Sequence, residues 1–442
     1  MRAHRINGRV AARVPAPFAA AIMAMQLHDS DPRLLRSLSE EEWRELLPMM
    51  DRSRLTLPFA QEAHSRVPCW VRERLEGNLA DTAQNWRHVR AAYREAAATL
   101  DANGVDYVVL KGFAQAPDFV PRPELRRQCD IDFYVPRDQI ASAVRCLQEI
   151  GYAPCYAGKS YHLADHVPTL VRFGAWKWRG DMYDPDTPPA IEVHFCFWNE
   201  SVSSIAIPEV DEFWNRRRLR ACENLKFPAL HRVDHVGYFA MHILRDVFNE
   251  DSRANHVREL GVFLDKQVNN DAFWREWTSL HSPRLRSMQA TAFSLAVAWF
   301  ACNVSDTVQS EIDSLAPQVK AWIENCGCTP LEGQFRRTRE GRLLQILFAE
   351  TSEGRKKILW RAVVPDRLPG PAKIASQGTH PSSPAKRRLI FSYLAYPPYM
   401  VIRAWMNGGA LLRFLAHACR LYASRGRAAS FSRSDLRSAP GG

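Results

Sequence analysis

Two aspartates two positions apart, Asp130 and Asp132, sit inside the apolar run CDIDFYV at residues 129–135. Side chains on an extended strand alternate between faces, so this spacing puts both carboxylates on one face and Ile131 with Phe133 on the other. Glu192 lies between Ile191 and Val193 in a second short run of the same kind, AIEVHFCF. If the two strands are neighbours, three carboxylates share one ridge. Like charges on segments too apolar to face water are in conflict, and a divalent cation resolves it. Oxygen donors in this number suit Mg²⁺ or Mn²⁺ better than zinc. Without a cation the acids are expected to repel, so Asp132→Asn and Glu192→Gln should leave the metal-free protein at least as stable as the parent.

Cationic residues flank these acids. VVLKG ends a β-branched run at Lys111 and Gly112. A glycine there lets the backbone approach a phosphate with no Cβ in the way, and Lys111 offers a charge, although the spacing is not that of a P-loop. Arg126 and Arg127 precede the acidic strand with forked donors suited to phosphate. The set fits metal-assisted nucleotidyl transfer, with Asp130 and Asp132 bridging the metals and Glu192 holding the one nearer the nucleophile. His194 shares the face of Glu192 and is a candidate contact to substrate or metal. Each piece also has an ordinary reading: LKG as a plain strand-to-turn junction, Glu192 paired with a surface arginine. His162 and His166 have helical ligand spacing, but Pro168 interrupts the pattern. His235, Tyr238 and His242 read first as one packed face of a helix. Trp176, Trp178 and Trp198 fall nearby, to stack on a base or simply to fill the core.

The elements that must position these groups are legible as a change of period. Residues 30–100 carry helical spacing, with Ser37 or Ser39 as a cap for LLRSLSEEEWRELLPMM and Asn103-Gly104 as the stop of a later helix. A short strand-like run, VDYVVL, follows; Pro117, Pro121 and Pro123 then forbid one regular helix. CDIDFYV is the next strand, and PRDQIASAVRCLQEIGY a helix opening at Pro136 and closing at Gly151. A turn at 184–189 leads into IEVHFCF, which places Glu192 on an interior strand. From Pro228 onward long helical periodicity returns. The organisation is therefore a basic leader (1–29), an N-terminal helical region (30–100), a mixed α/β unit (101–227) and a helical domain (228–365). A linker rich in Pro, Gly and Ser (366–388), a C-terminal helical segment (389–423) and a tail of disordered composition (424–442) complete it.

Composition sets limits. The 442 residues can bury a large core without disulfides, and the ten cysteines are scattered, with no zinc-finger spacing. Reduced thiols, an apolar N-terminal run too short and proline-framed for a signal peptide, and no stretch long enough to span a membrane make the cytoplasm the default location. The formal charge of +11 favours a polyanionic partner, but much of it is terminal, in the first residues and beyond Lys386. The apolar, aromatic segment after the linker is compatible with docking at a membrane edge or with packing on the helical domain.

Three pieces in order, VVLKG at 108–112, Arg126 followed by DIDFYV at 130–135, and IEVHF at 191–195, resemble the uncharacterised nucleotidyltransferase family of the polymerase-beta-like nucleotidyltransferase superfamily. The resemblance covers about residues 95–270. It implies an α+β fold, a polymerase-beta-like domain with a mixed sheet and flanking helical regions. It also implies Asp130, Asp132 and Glu192 as metal ligands and Lys111-Gly112 as the phosphate-facing turn, with Mg²⁺ or Mn²⁺ as cofactor and an NTP, ATP first, as donor. The better-known branches have Gly-Ser or Gly-Gly at that turn, so how this chain holds the triphosphate does not carry over. Relatives lie near genes for peptide natural products or surface polysaccharides, which implies a small-molecule or peptide acceptor over nucleic acid; fold alone does not fix function. An RNA-modifying enzyme and an inactive binding or scaffold protein of the same fold are the alternatives.

Overall fold

The computed structural model describes residues 13–63, 66–155, 165–172, 174, 176–363, 401 and 407–420. The linker 366–388, the tail 424–442, most of the leader's basic start and His162 lie outside the described residues. Four longer helices open the chain: α1 (Ala16–Ala24), α2 (Glu40–Ser53), α3 (Thr56–Ala63) and α4 (Cys69–Ala102). Ser39 is the serine that caps α2. Its side-chain oxygen accepts from the Glu42 amide at 3.2 Å while Glu42 accepts from the Ser39 amide at 2.8 Å, a reciprocal box that satisfies two end donors. Helix α2 stops at Arg54, which is left-handed at φ 58°. In α4, Trp86, Val89, Tyr93, Ala96 and Leu100 recur at helical spacing and are buried. Asn103 and then Gly104, at φ +64°, end it.

Seven strands follow in one mixed sheet: β1 (Val108–Val109), β2 (Asp130–Tyr134), β3 (Tyr152–Pro154), β4 (Leu170–Arg172), β5 (Ala190–His194), β6 (Arg218–Cys222) and β7 (Leu225–Ala229). Their order is β3-β4-β5-β2-β1-β7-β6. The strands β2 and β5 run parallel with Asp132 opposite Glu192 and Tyr134 opposite His194. The neighbourhood on which the acidic ridge depends is present. Glu192 is interior because β4 covers the other edge of β5. Helix α5 (Ile140–Glu149) sits between β2 and β3.

Alternation along the strands divides the sheet into two faces. Ile131, Phe133, Ile191 and Val193 enter one core with Trp86, Tyr93 and Leu100 of α4 and Leu147 of α5. Burial of these large side chains against α4 stabilises each by roughly 1.5–3 kcal/mol relative to exposure. The carboxylates are left on the opposite face. That face meets a helical array: α6 (Arg232–Asn249), α7 (Ala254–Lys266), α8 (Asp271–Leu280) and α9 (Pro283–Phe300), followed by Asp306–Asp313, Pro317–Cys326, Glu340–Phe348 and Ser352–Val363. A second, larger core joins α1, α2 and α3 to these later helices through Phe18, Trp43, Phe59, Trp274, Trp299 and Trp322. The chain's two helical stretches therefore pack on one another as well as on the sheet. In the C-terminal segment, Ala410 and Phe414 are buried while Leu412 and Leu415 remain exposed. None of the helices among the described residues is long and apolar enough to cross a membrane.

Candidate active site

The strand β1 pairs with β2, and the Leu110 amide continues the ladder by donating to the Asp132 carbonyl at 3.0 Å. The chain must then leave the sheet at Lys111-Gly112. Gly112 adopts φ +67°, a conformation that costs glycine little. A Cβ there would lie 2.2–2.6 Å from the Gln128 amide. That amide is a brace: its oxygen accepts from the Phe113 amide at 3.1 Å and its nitrogen donates to the Asp130 carbonyl at 2.8 Å. Turn and acidic strand are thus fastened together. Gly112→Ala is expected to cost about 1–3 kcal/mol through the positive φ and the displaced brace, and to weaken nucleotide binding. A thermal melt and a nucleotide titration check both, and parent-like values in each would contradict the role given to the turn.

One ligand atom from each of Asp132, Glu192 and His194 lies within 4.8 Å of the other two. Asp130 lines the same cavity two residues earlier on the strand but is not one of these three. On the strands, the converging group is therefore two carboxylates and an imidazole; His242, Asp246 and His256 form a second such group on the same cavity wall. His194 is 1% exposed and lies under the ridge, off the cavity wall. Its Nε2 meets Asp132 Oδ1 at 2.9 Å, and its Nδ1 is 3.5 Å from Asp165. Lys111 Nζ reaches the same Asp132 oxygen at 2.8 Å. Burial disfavours the Asp132 anion, but the Lys111 ammonium and the His194 N–H outweigh it, and the carboxyl is held below its usual range. Glu192 accepts from the Thr169 hydroxyl at 3.1 Å, with His166 at 3.8 Å.

These contacts overturn one sequence-based expectation. Repulsion among bare acids was to make Asp132→Asn neutral or stabilising in the metal-free protein; with Lys111 and His194 already compensating Asp132, removal of its charge strands a cation instead. The geometry still fits a divalent cation. Donor atoms of Asp132 and Glu192 lie within 4.8 Å of one another, and Asp130 lines the same cavity; carboxylate oxygens in this arrangement suit Mg²⁺ or Mn²⁺.

The cavity has a volume of about 320 Å³. Lys111, Gly112, Arg126 and Arg127 all line it, as expected for a phosphate site. Arg126 is nevertheless committed: its guanidinium grips Glu259 of α7 through two bonds of 2.7 and 3.1 Å. Arg127 is not. It is 9% exposed, and its Nε and Nη1 have no hydrogen-bond partner among the described residues. Trp198 lines the cavity too, but its indole N–H is spent on the Ile205 carbonyl at 2.8 Å. Trp178 is 60% exposed.

Several wall residues escaped the sequence reading because they come from distant helices. Arg54 from the end of α2, Arg245 and Asp246 from α6, Arg253 just before α7 and His256 within it all contribute, and His242 of α6, which the sequence offers as part of a packed helix face, joins them. Arg245 bonds to Asp165 and its Nη2 donates to His242 Nδ1 at 2.6 Å. Burial pushes the His242 imidazole well below its ordinary value, which keeps it neutral. The packed-face reading holds for His235, whose Nε2 donates to the Leu110 carbonyl at 3.1 Å while Nδ1 accepts from Arg220 at 2.9 Å. His166 is not helical; it forms an isolated antiparallel bridge with His194.

A seven-stranded mixed sheet, acids on one face and a helical array over that face make an α+β nucleotidyltransferase architecture. The chain belongs to the family described as uncharacterised nucleotidyltransferase, whose model matches residues 39–301. No curated protein and no solved structure matches it. The family match covers all of the strands and reaches from α2 to the end of α9, so most of the helical wall lies inside the family unit.

Proposed function

We propose that this site transfers a nucleoside monophosphate from an NTP, with ATP the first to test, to a small-molecule or peptide acceptor, with Mg²⁺ or Mn²⁺ as cofactor and pyrophosphate as the leaving group. The observation that carries the reading is the convergence of Asp132 and Glu192 from adjacent parallel strands on one cavity beside the Lys111-Gly112 turn. Asp130, Asp132 and Glu192 are the residues that would hold the metal, and a bound cation supplies charge neutralisation on the attacking and leaving oxygens.

The chain's own groups do the rest. His194 donates to Asp132 and fixes the orientation of that carboxylate. The Lys111-Gly112 turn, whose ammonium also pairs with Asp132, and Arg253 would face the triphosphate, and Arg126 acts as a brace through Glu259. His166 is oriented by its Nδ1–H, which donates to the Val167 carbonyl at 2.6 Å, so the lone pair on Nε2 is free beside Glu192. That nitrogen takes the acceptor's proton as the acceptor's heteroatom bonds to the α-phosphorus and the bond to pyrophosphate breaks. The cytoplasm is the compartment this reading assumes, and biosynthesis of a modified small molecule or peptide the setting.

The test is label transfer from each α-labelled NTP with Mg²⁺ or Mn²⁺ and a panel of acceptors, comparing the parent with Asp130→Asn. Loss of transfer in a folded variant supports the reading; equal transfer by both proteins overturns the role of the ridge.

A further inference from the structure

A second cavity of about 300 Å³ adjoins the acidic one, and Arg54, Arg126 and Arg127 line both. Beyond those arginines its character changes. Leu57, Phe119, Val120, Leu125 and Val262 form much of its wall. Its acidic and phenolic groups are already engaged: Glu62 with Arg258, Glu259 with Arg126, and the Tyr183 hydroxyl with Asp51 at 2.8 Å. Among the described residues, Asn255 Oδ1 is left without a donor. A nucleobase presents several donors and acceptors at its edge; beyond the boundary arginines, the buried unpaired atoms on this wall among the described residues are Asn255 Oδ1 and Arg258 Nε, few to read them.

At the shared boundary stands Arg127, buried, with Nε and Nη1 unpartnered among the described residues. Arg54 adds a second guanidinium there, and burial together with the nearby charge of Arg253 pushes it below its ordinary value. A buried guanidinium with two donors unmet, beside a second, partly buried one, calls for an anion. The anion must sit between an apolar compartment on one side and the acids on the other.

We propose that this second cavity is the acceptor compartment and that it takes a molecule with an aliphatic or aromatic body and one anionic group, the body against Leu57, Phe119 and Val262 and the anion on Arg127 and Arg54. The assignment rests on the transfer reading above, since it places the acceptor's reactive end at the boundary with the acidic cavity. It also gives the enzyme its selectivity: a free phosphate lacks the body, and a neutral lipid-like alcohol leaves two buried N–H groups unpaired.

The experiment is calorimetric titration of the full, metal-free chain with octyl phosphate, octanoate, octanol and inorganic phosphate, and then with octyl phosphate in the presence of saturating α,β-methylene ATP. Octyl phosphate or octanoate is expected to bind at least about tenfold more tightly than inorganic phosphate, because several methylenes are buried, and about tenfold more tightly than octanol, because a charge-assisted hydrogen bond is gained. The tighter of the two anionic probes identifies the anion as phosphate or carboxylate. Binding should persist with the ATP analogue present. Arg127→Gln, with its folding checked by thermal melt, should erase the preference over octanol. Equal affinity for octanol and both anionic probes, no gain over inorganic phosphate, or displacement by the ATP analogue would each overturn the proposal, the last by giving the compartment to the nucleotide. Because no metal and no turnover are involved, a failure here leaves the transfer reading standing, and an inactive transfer assay leaves this binding result intact.

Discussion

Replacing Asp132 by Asn should lower nucleotidyl transfer by about 10³-fold or more and, in the same protein without metal, lower stability. The first effect follows from the proposed role of Asp132 as a ligand to a cation that would contribute several kcal/mol of transition-state charge stabilisation, with each 1.36 kcal/mol worth a factor of ten. The second follows from what surrounds the carboxylate. Lys111 Nζ and His194 Nε2 both bond to one of its oxygens, and Asp132 is 2% exposed. Removing the anion of a buried pair costs about 3–5 kcal/mol, somewhat less here because the amide oxygen still accepts one bond. The pH dependence has a definite sign. Asp132 is held below its usual range in the fold, so its contribution is complete above about pH 4, where the unfolded carboxyl has ionised, and is lost as pH falls further. The gap between parent and variant should therefore be widest near neutrality and narrow on acidification. Denaturant melts at several pH values, alongside the labelled-nucleotide assay, check it. A variant as stable as the parent at pH 7 would mean that Lys111 is not paired with Asp132 in solution.

The second large effect is structural. Glu259→Ala leaves the Arg126 guanidinium buried between the turn and α7 with its two-bond partner gone. Burial disfavours the Arg126 charge, and Glu259 more than offsets that in the intact fold. The expected loss is about 3–5 kcal/mol, with transfer falling as the cavity wall loosens. The double change Arg126→Met with Glu259→Leu should recover most of the stability, since an apolar pair of similar volume avoids the stranded charge. Full stability in Glu259→Ala alone would show that the pair does not tie α7 to the acidic strand. A double variant no better than the single one would assign the loss to packing instead.

Much of the sheet side of this protein can be read from local pattern. The alternation in CDIDFYV and AIEVHF states which side chains are buried, and Ile131, Phe133, Ile191 and Val193 do occupy the core against α4 while the acids take the other face. Ser39 with Glu42 three residues on, and Asn103-Gly104 after a helical run, are end signals with a mechanism, and both operate here. The helical wall of the cavity is a different matter. Arg54, Arg245 and Arg253 reach the acids only because α2, α6 and α7 pack over one sheet face, and no periodicity within a helix says which distant strand it will cover. For the same reason Arg126 looked like a free phosphate ligand; its partner Glu259 is far away in sequence and becomes a neighbour only through tertiary packing. Pro168 already argues against a helix at His162 and His166, but two histidines four apart carry no information about the bridge that His166 forms with His194. The revised expectation for the metal-free stability of Asp132→Asn has the same origin. The sequence shows the acids together but not the ammonium and imidazole folded against them.

The most direct measurement is a Mn²⁺ titration of the purified chain followed by paramagnetic resonance, comparing the parent with Glu192→Gln. Convergence of Asp132 and Glu192 on one cation predicts saturable binding in the parent, competed by Mg²⁺, and weakened by about 100-fold or more when Glu192 loses its charge. Equal Mn²⁺ affinity in parent and variant, both folded, would contradict a shared ion at these two strands.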